Sequence, residues 1–254
     1  MTTAKRSPEF GERPPARPSG DLASRVSALD WACIEQELDE SGHAVARALL
    51  DASQCRALAS LYGHADRFRS TITMAHHGFG RGEYRYFQYP LPDDMATLRS
   101  ALYPRLAPIA NRWNELMGIA DRYPPHHRDF IARCHAAGQT RPTPLLLRYG
   151  PGDHNCLHQD LYGACSFPLQ LTVLLSLPGA DFSGGEFVLV EQRPRRQSRV
   201  EVVSLGRGDA VIFAVHHRPV KGTRGCYRVQ MRHGVSPVRQ GERTTAGIIF
   251  HDAR

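Results

Sequence analysis

Residues 145–160 read LLLRYGPGDHNCLHQD, and this stretch decides how the rest of the chain is interpreted. A run of apolar residues leads into a loop broken by glycine and proline, and His158 and Asp160 then follow two residues apart. On an extended strand, side chains at positions i and i+2 project from the same face. The imidazole and the carboxylate are therefore directed to one point, and they are two of the three ligands of a facial iron site.

The same His-x-Asp spacing occurs at two other places, where the context does not favour a metal site. His64 and Asp66 follow a helix-like run, and His127 and Asp129 lie at the start of another. Side chains two positions apart on a helix do not face each other. We therefore interpret these four residues as solvated or capping groups.

The hydrophobic pattern changes at Pro142, and short strands are predicted from there to the end of the chain. Turns with glycine, proline, aspartate or serine separate most of the runs, and no helical pattern lies between them. Closely spaced strands of this kind predict a sandwich or a barrel. The eight predicted strands cover 143–149, 156–160, 168–177, 186–191, 199–205, 209–215, 227–235 and 244–250.

The first half of the chain is predicted to be mainly helical. Residues 1–24 are basic and rich in proline, and we expect them to form a disordered tail. Apolar residues recur at helical spacing in 25–40 and 94–119, which makes 25–142 a helical support region with a few strands, within the same domain. Residues 143–254 form the core, so the predicted fold class is mainly β with N-terminal helices (α+β), with the helices against one outer face of the barrel.

A facial site needs a third ligand from a distant strand. His233 fits best, because it lies inside the strand-like run YRVQMRHGV and Arg243 opens the next strand ten residues later. An arginine near a metal suits a bidentate grip on a dicarboxylate. The alternative takes His216 or His217 as the ligand with Arg228 as the arginine, and His251, almost at the terminus, is interpreted as structural.

The composition bounds the class of protein. The chain has 254 residues, is 41% hydrophobic and contains no apolar run long enough to span a membrane. No signal peptide is recognisable, and the six cysteines form no C-x-x-C pair, which predicts reduced thiols in a cytoplasmic protein. The net charge of +7 can attract nucleic acid, although a GC-rich coding sequence explains the many arginines equally well.

Several segments, in order along the chain, resemble the Fe(II)/2-oxoglutarate dioxygenase superfamily, and most closely its prolyl 4-hydroxylase type. His158-x-Asp160, His233 and Arg243 are similar to its H-x-D…H-x(9)-R/K signature. RYGPGDHNCLHQD, GGEFVLVE, GRGDAVIF and HGVSPV resemble the strands and turns around that signature, and the resemblance covers about 143–252. The chain also looks like an uncharacterised bacterial group of this superfamily.

The resemblance implies a double-stranded β-helix (jelly-roll or cupin-like) core and a set of ligands. Fe(II) would be held by His158, Asp160 and His233. Arg243 would bind the distal carboxylate of 2-oxoglutarate, Tyr149 would contact this cosubstrate, and Asn155 stands where the family often has an aromatic residue. Dioxygen is the second cosubstrate, ascorbate an accessory reductant, and the products are succinate, CO2 and a hydroxylated substrate.

Two substrate classes are open. The resemblance favours hydroxylation of a prolyl or other aminoacyl C–H in a peptide or amino acid. The basic run at Arg193, Arg195, Arg196 and Arg199, together with the aromatic stretch 84–89, favours oxidative dealkylation of DNA or RNA bases. Tyr84 and Tyr86, which share one face of a predicted strand, and Arg228 are the candidate substrate contacts.

Two other interpretations are weaker. A non-catalytic metal-binding barrel that acts in protein interaction would have no need of Arg243 as a dicarboxylate clamp. A zinc cupin fits two histidines, one aspartate and a nearby arginine less well than iron does. The stretch 216–228 lengthens the approach to His233, and it forms either a hairpin over the mouth of the site or a solvated surface loop.

Overall fold

The computed structural model describes residues 20–223 and 225–254. Its helices precede most of the strands, in the order that the apolar spacing predicts. The first 19 residues of the predicted tail lie outside the described part, and α1 begins within the range assigned to that tail. The α-helices are α1 Leu22–Ser27, α2 Trp31–Ser41, α3 Ala52–Ser60, α4 Asp93–Leu116 and α5 His127–Ala136.

The strands build two large antiparallel sheets. The described residues contain fifteen strands: β1 His43–Ala46, β2 Phe68–Thr73, β3 Gly80–Arg81, β4 Glu83–Phe87, β5 Leu145–Tyr149, β6 His154–His158, β7 Leu169–Leu174, β8 Phe182–Gly184, β9 Phe187–Gln192, β10 Arg199–Val203, β11 Ala210–Ala214, β12 His217–Gly222, β13 Gly225–Val235, β14 Val238–Gly241 and β15 Arg243–Ile248. All eight strands predicted after residue 142 are present, and they correspond to β5, β6, β7, β9, β10, β11, β13 and β15.

The major sheet has the order β1-β11-β7-β15-β5-β4-β2, and the minor sheet has the order β10-β9-β13-β6-β3. In addition, β12 pairs with β13 as an antiparallel hairpin, which confirms that the stretch 216–228 folds back on the strand before His233. The buried faces of the two sheets supply the core around the site. This arrangement is the predicted double-stranded β-helix.

The N-terminal half contributes more to the sheets than its sequence indicates. Strands β1, β2 and β4 pair into the major sheet, and β3 pairs into the minor sheet. The helix expected over 25–40 is interrupted, because Asp30 caps α2 by accepting a hydrogen bond from the Cys33 amide at 3.0 Å. A residue in the N-cap position has a non-helical backbone, so α1 must end before it.

Helix α4 is continuous and packs its apolar stripe against the sheets. It contains Pro104 and Pro108, yet Leu102, Leu106 and Trp113 are all buried. All six cysteines are free, as the absence of a C-x-x-C pair predicts. Within the described residues, no helix combines the length and the hydropathy needed to cross a membrane.

Candidate metal and cosubstrate site

Neighbouring strands of the minor sheet bring the three predicted metal ligands together. His233 on β13 is the register partner of His158 at the end of β6, and the two ring centroids lie 4.1 Å apart. Asp160 follows β6. Its Oδ1 lies 3.5 Å from His158 Nε2, and its Oδ2 lies 3.3 Å from His233 Nε2. The three ligand atoms lie within 4.8 Å of one another.

The protonation states of these groups suit a divalent metal. His158 Nδ1 lies 2.8 Å from the Cys156 carbonyl oxygen, so this nitrogen donates and Nε2 keeps the lone pair that binds metal. Burial opposes the ionisation of Asp160 and is the largest single effect, but His233, His158 and the Tyr162 hydroxyl together outweigh it and lower the pKa of the carboxyl. Burial also lowers the pKa of His233. A carboxylate with two imidazoles is the donor set of a facial iron site.

Two residues that the sequence did not single out hold Asp160 in place. Gln170 Nε2 donates to one carboxylate oxygen at 2.9 Å, and the Tyr162 hydroxyl donates to the other at 2.7 Å. The Tyr86 hydroxyl in turn donates to Tyr162 at 3.1 Å. A polar residue within the buried strand LQLTVL was the available signal for Gln170, since an amide there needs a partner.

A local irregularity in β6 directs two non-equivalent positions into the same cavity. His158 and Asn155 are three residues apart, so a regular strand would point them to opposite faces. They pair with His233 and Val235, which are only two apart, and the register shifts between the two pairs. The extra residue in β6 is accommodated as a β-bulge, and both side chains therefore line the cavity.

The predicted cosubstrate residues lie deeper in the same cavity. Arg243 opens β15 opposite Tyr149 at the end of β5, and its guanidinium carbon lies 5.6 Å from the tyrosine ring centroid. Arg243 is 2% exposed, burial lowers its pKa to about 10, and its Nε and Nη1 have no hydrogen-bond partner within the described part. A buried cation in this state needs an anion.

The shape of this end of the cavity fits 2-oxoglutarate. Asn155 Nδ2 lies 3.4 Å from the Tyr149 hydroxyl and donates to it. Gly185 has φ +63° and packs so closely that a Cβ there would lie 2.8 Å from Arg243 Cδ. The cavity has a volume of about 190 Å³ and extends from Arg243 to the three metal ligands, as a dicarboxylate that also chelates the metal requires.

The predicted substrate contacts divide into two groups. Tyr84 and Tyr86 line the cavity, together with Phe79, whose ring is 47% exposed. Arg228 does not line it, and its Nη2 donates to the carbonyl oxygen of Met117 instead. Arg228 lies outside the cavity because it stands five residues from His233, and its role as a substrate contact stays a prediction. An odd separation places the two side chains on opposite faces of β13.

The other histidine candidates lie away from the metal ligands. His216 and His217 lie against each other, with ring centroids 3.6 Å apart and ring planes inclined by 43°. His127 lies in α5 and contacts the Phe250 carbonyl oxygen through Nε2 at 2.8 Å. The Phe167 amide donates to His251 Nδ1 at 3.2 Å, which fits the structural role expected of this residue. Among the described residues, one group satisfies the metal-site geometry, and it contains none of these four.

Comparison with known proteins agrees with this geometry. Residues 82–253 match the model of the Oxygenase-NA family, which is described as an oxygenase catalysing oxidative methylation of damaged DNA. Two uncharacterised proteins from strains of Mycobacterium tuberculosis are 50% identical over 167 residues, or 66% of this chain and 72% of theirs.

Solved structures support the fold. A Pseudomonas putida prolyl-4-hydroxylase superposes with a TM-score of 0.53 at 16% identity, over 88% of this chain and 99% of its own. A structure of Phytophthora capsici prolyl 4-hydroxylases gives a TM-score of 0.52 at 16% identity, over 93% of this chain and 68% of that one. At this identity, the likeness establishes the shared fold.

Proposed function

This chain belongs to the Oxygenase-NA family and has the fold and donor set of an Fe(II)- and 2-oxoglutarate-dependent oxygenase, and we propose that it hydroxylates an alkyl C–H of a damaged nucleic-acid base. The observation that carries the proposal is the convergence of His158, Asp160 and His233 in one cavity with the buried Arg243, whose Nε and Nη1 have no hydrogen-bond partner among the described residues.

Each residue of the site has a defined task in this reaction. Two histidines and Asp160 would hold the metal, which supplies oxygen activation coupled to decarboxylation of 2-oxoglutarate. Arg243 would bind the distal carboxylate with its forked N–H groups and would fix the cosubstrate relative to the metal. Tyr162 and Gln170 hold the carboxylate of Asp160 in one orientation, which would fix it as a metal ligand beside the two imidazoles.

Two observations support this substrate class, namely the family description and the walls of the cavity. The family description concerns damaged DNA, and an oxygenase acts on a methyl group by oxidising its carbon. One dioxygen and one 2-oxoglutarate convert an N-methyl group to N-hydroxymethyl with release of succinate and CO2, and the N-hydroxymethyl group then leaves as formaldehyde. Tyr84, Tyr86 and Phe79 offer aromatic faces on which an unstacked base can lie.

A prolyl or aminoacyl substrate is the second candidate. The segments around the predicted iron ligands resemble those of prolyl 4-hydroxylases, and a prolyl ring would also fit an aromatic-lined cavity. For either substrate, the six free cysteines suit a cytoplasmic location, in which thiols stay reduced.

The test is succinate formation by the full-length chain with Fe(II), 2-oxoglutarate and ascorbate. Methylated DNA and RNA oligonucleotides, proline-containing peptides and free amino acids are then added in turn. We expect methylated oligonucleotides to stimulate turnover and to release formaldehyde in equal amount to the succinate above background. Stimulation by peptides alone, with a mass gain of one oxygen in proline, would replace the base with the aminoacyl substrate.

The matched control is Asp160→Ala, which removes the negatively charged ligand. This variant should form no succinate with any substrate. Full activity in it would refute the assignment of the metal site.

A further inference from the structure

The cavity is open to solvent at the metal end and closed at the cosubstrate end. The His158 side chain is 32% exposed, whereas Arg243 is 2% exposed. On β13, the direction from His233 to Val235 leads toward Asn155 and the Arg243 end. The opposite direction along β13 leads from His233 to Arg228, away from the Arg243 end and toward the hairpin with β12.

A basic groove lies on the outer face of the minor sheet, along strand β13, which also carries His233. Along β13, Val229, Met231 and His233 are buried and point inward, so Arg228 and Gln230 point outward. Gln230 pairs with Gln192 on one side and with His217 of the hairpin on the other. The groove has a volume of about 340 Å³ and is lined by four arginines (Arg193, Arg195, Arg196 and Arg228), His217 and the two glutamine side chains.

The positive charge of this groove is largely uncompensated. Its lining contains no aspartate or glutamate within the described part. Arg193 lies 2.5 Å from Glu191, but this single carboxylate also pairs with the buried Arg218. Arg195 and Arg196 form no ion pair among the described residues, and Arg228 contacts only a backbone carbonyl oxygen. The groove is therefore suited to an anionic partner.

Exposed apolar side chains lie beside the metal ligands. The minor sheet runs from β13 through β6 to β3, which places β3 about 10 Å from β13. Leu157 on β6 is 45% exposed, Leu161 in the next loop is 47% exposed, and Phe79 precedes β3 and stacks on His77 at 5.2 Å. The minor sheet and its adjoining loops thus present a cationic groove and exposed apolar side chains, which match the phosphates and the bases of a nucleic-acid strand.

We propose that this groove binds backbone phosphates of the nucleic-acid strand whose damaged base enters the cavity, an inference that rests on the proposed function. The forked guanidinium groups match phosphate oxygens in geometry as well as in charge. An acidic peptide would satisfy the arginines but would leave the exposed Phe79 without a stacking partner.

The distance along β13 sets the length of strand that is needed. Arg228 stands five residues from His233, or about 17 Å at the rise of an extended strand. Stacked nucleotides advance about 3.4 Å each along one strand of a duplex, so phosphates about five nucleotides from the damaged base reach the groove. A trinucleotide carrying the same damaged base is too short to contact it.

The test compares Arg195→Ala/Arg196→Ala with Arg128→Ala, which removes an arginine that is 84% exposed on α5 and thus on another face. Binding of an unmodified, fluorescently labelled 12-nucleotide strand is measured by anisotropy over a range of salt concentrations. The double variant should bind at least about tenfold more weakly, and its slope of log K against log salt should fall by about 1.4, or 0.7 for each lost phosphate contact. Arg128→Ala should bind as the unchanged chain does.

Unchanged binding by the double variant overturns the proposal, and so does an equal loss in Arg128→Ala. Competition by a 12-residue polyglutamate as effective as that by unlabelled DNA also overturns it, because the groove would then select for charge alone. Turnover separates this inference from the proposed function. The double variant should have a higher KM than the unchanged chain for a methylated 12-mer, and the same KM for a methylated trinucleotide. If the unchanged chain turns over neither substrate, the proposed function is refuted, and the binding experiment still decides whether the groove binds phosphates.

Discussion

The hydroxyl group of Tyr162 should contribute measurably to metal affinity, although it does not touch the metal site directly. It donates to Asp160 at 2.7 Å, and the ring is held by the hydrogen bond from Tyr86. A hydrogen bond to a charged group contributes about 1.5–3 kcal/mol. Since about 1.4 kcal/mol corresponds to a factor of ten, Tyr162→Phe should weaken metal binding by about 10- to 100-fold.

The assay is isothermal titration with Mn(II), which replaces Fe(II) without being oxidised in air. Tyr84→Phe is the matched control, because Tyr84 lines the same cavity and its hydroxyl forms no hydrogen bond with Asp160 among the described residues. Tyr86→Phe should have a smaller effect than Tyr162→Phe, since it acts through one further hydrogen bond. If Tyr162→Phe binds Mn(II) within about twofold of the unchanged chain, the assigned role of this hydroxyl is wrong.

Three further predictions concern the cosubstrate end and the core. Arg243→Met should raise the KM for 2-oxoglutarate by at least about 100-fold, because two charge-assisted hydrogen bonds are lost. The Mn(II) affinity of this variant should stay within a few-fold of that of the unchanged chain. An unchanged KM for 2-oxoglutarate in the succinate assay would contradict the assignment of Arg243 to the distal carboxylate. Gly185→Ala should also raise this KM, since its Cβ would collide with Arg243 Cδ, and an unchanged value in steady-state assays would show that the arginine can move freely. Burial lowers the pKa of His251 to about 4 from an ordinary 6.5. Between pH 7 and pH 5 the histidine therefore takes up a proton in the unfolded state but not in the folded state. The free energy of unfolding should fall by about 2 kcal/mol over this range. His251→Asn keeps an acceptor for the Phe167 amide without a titrating group, and urea unfolding of this variant should lose less stability over that range; an identical pH dependence would exclude His251 as the cause.

The strands of the core and the ligand pair His158 and Asp160 were predictable because their signals are local. Alternating apolar residues, turn residues and the i, i+2 spacing of His158 and Asp160 require knowledge of only a few neighbours. The distal ligand His233 required a long-range pairing, and it was found through its spacing from Arg243 and the resemblance of the surrounding segments.

The remaining features depend on contacts that local patterns do not encode. Gln170 and Tyr162 matter because the fold brings them to Asp160, and the pairing of β1, β2 and β4 with the major sheet joins segments far apart in sequence. The position of Arg228 outside the cavity, by contrast, follows from a local pattern, because strand parity relative to His233 already places it on the outer face.

The most direct test of the site is a crystal structure of the chain grown with Mn(II) and 2-oxoglutarate without oxygen. The metal should lie between Nε2 of His158, Nε2 of His233 and a carboxylate oxygen of Asp160, with the distal carboxylate of 2-oxoglutarate on the guanidinium of Arg243. A metal bound at another group of residues, or a cosubstrate whose distal carboxylate lies away from Arg243, would contradict the account.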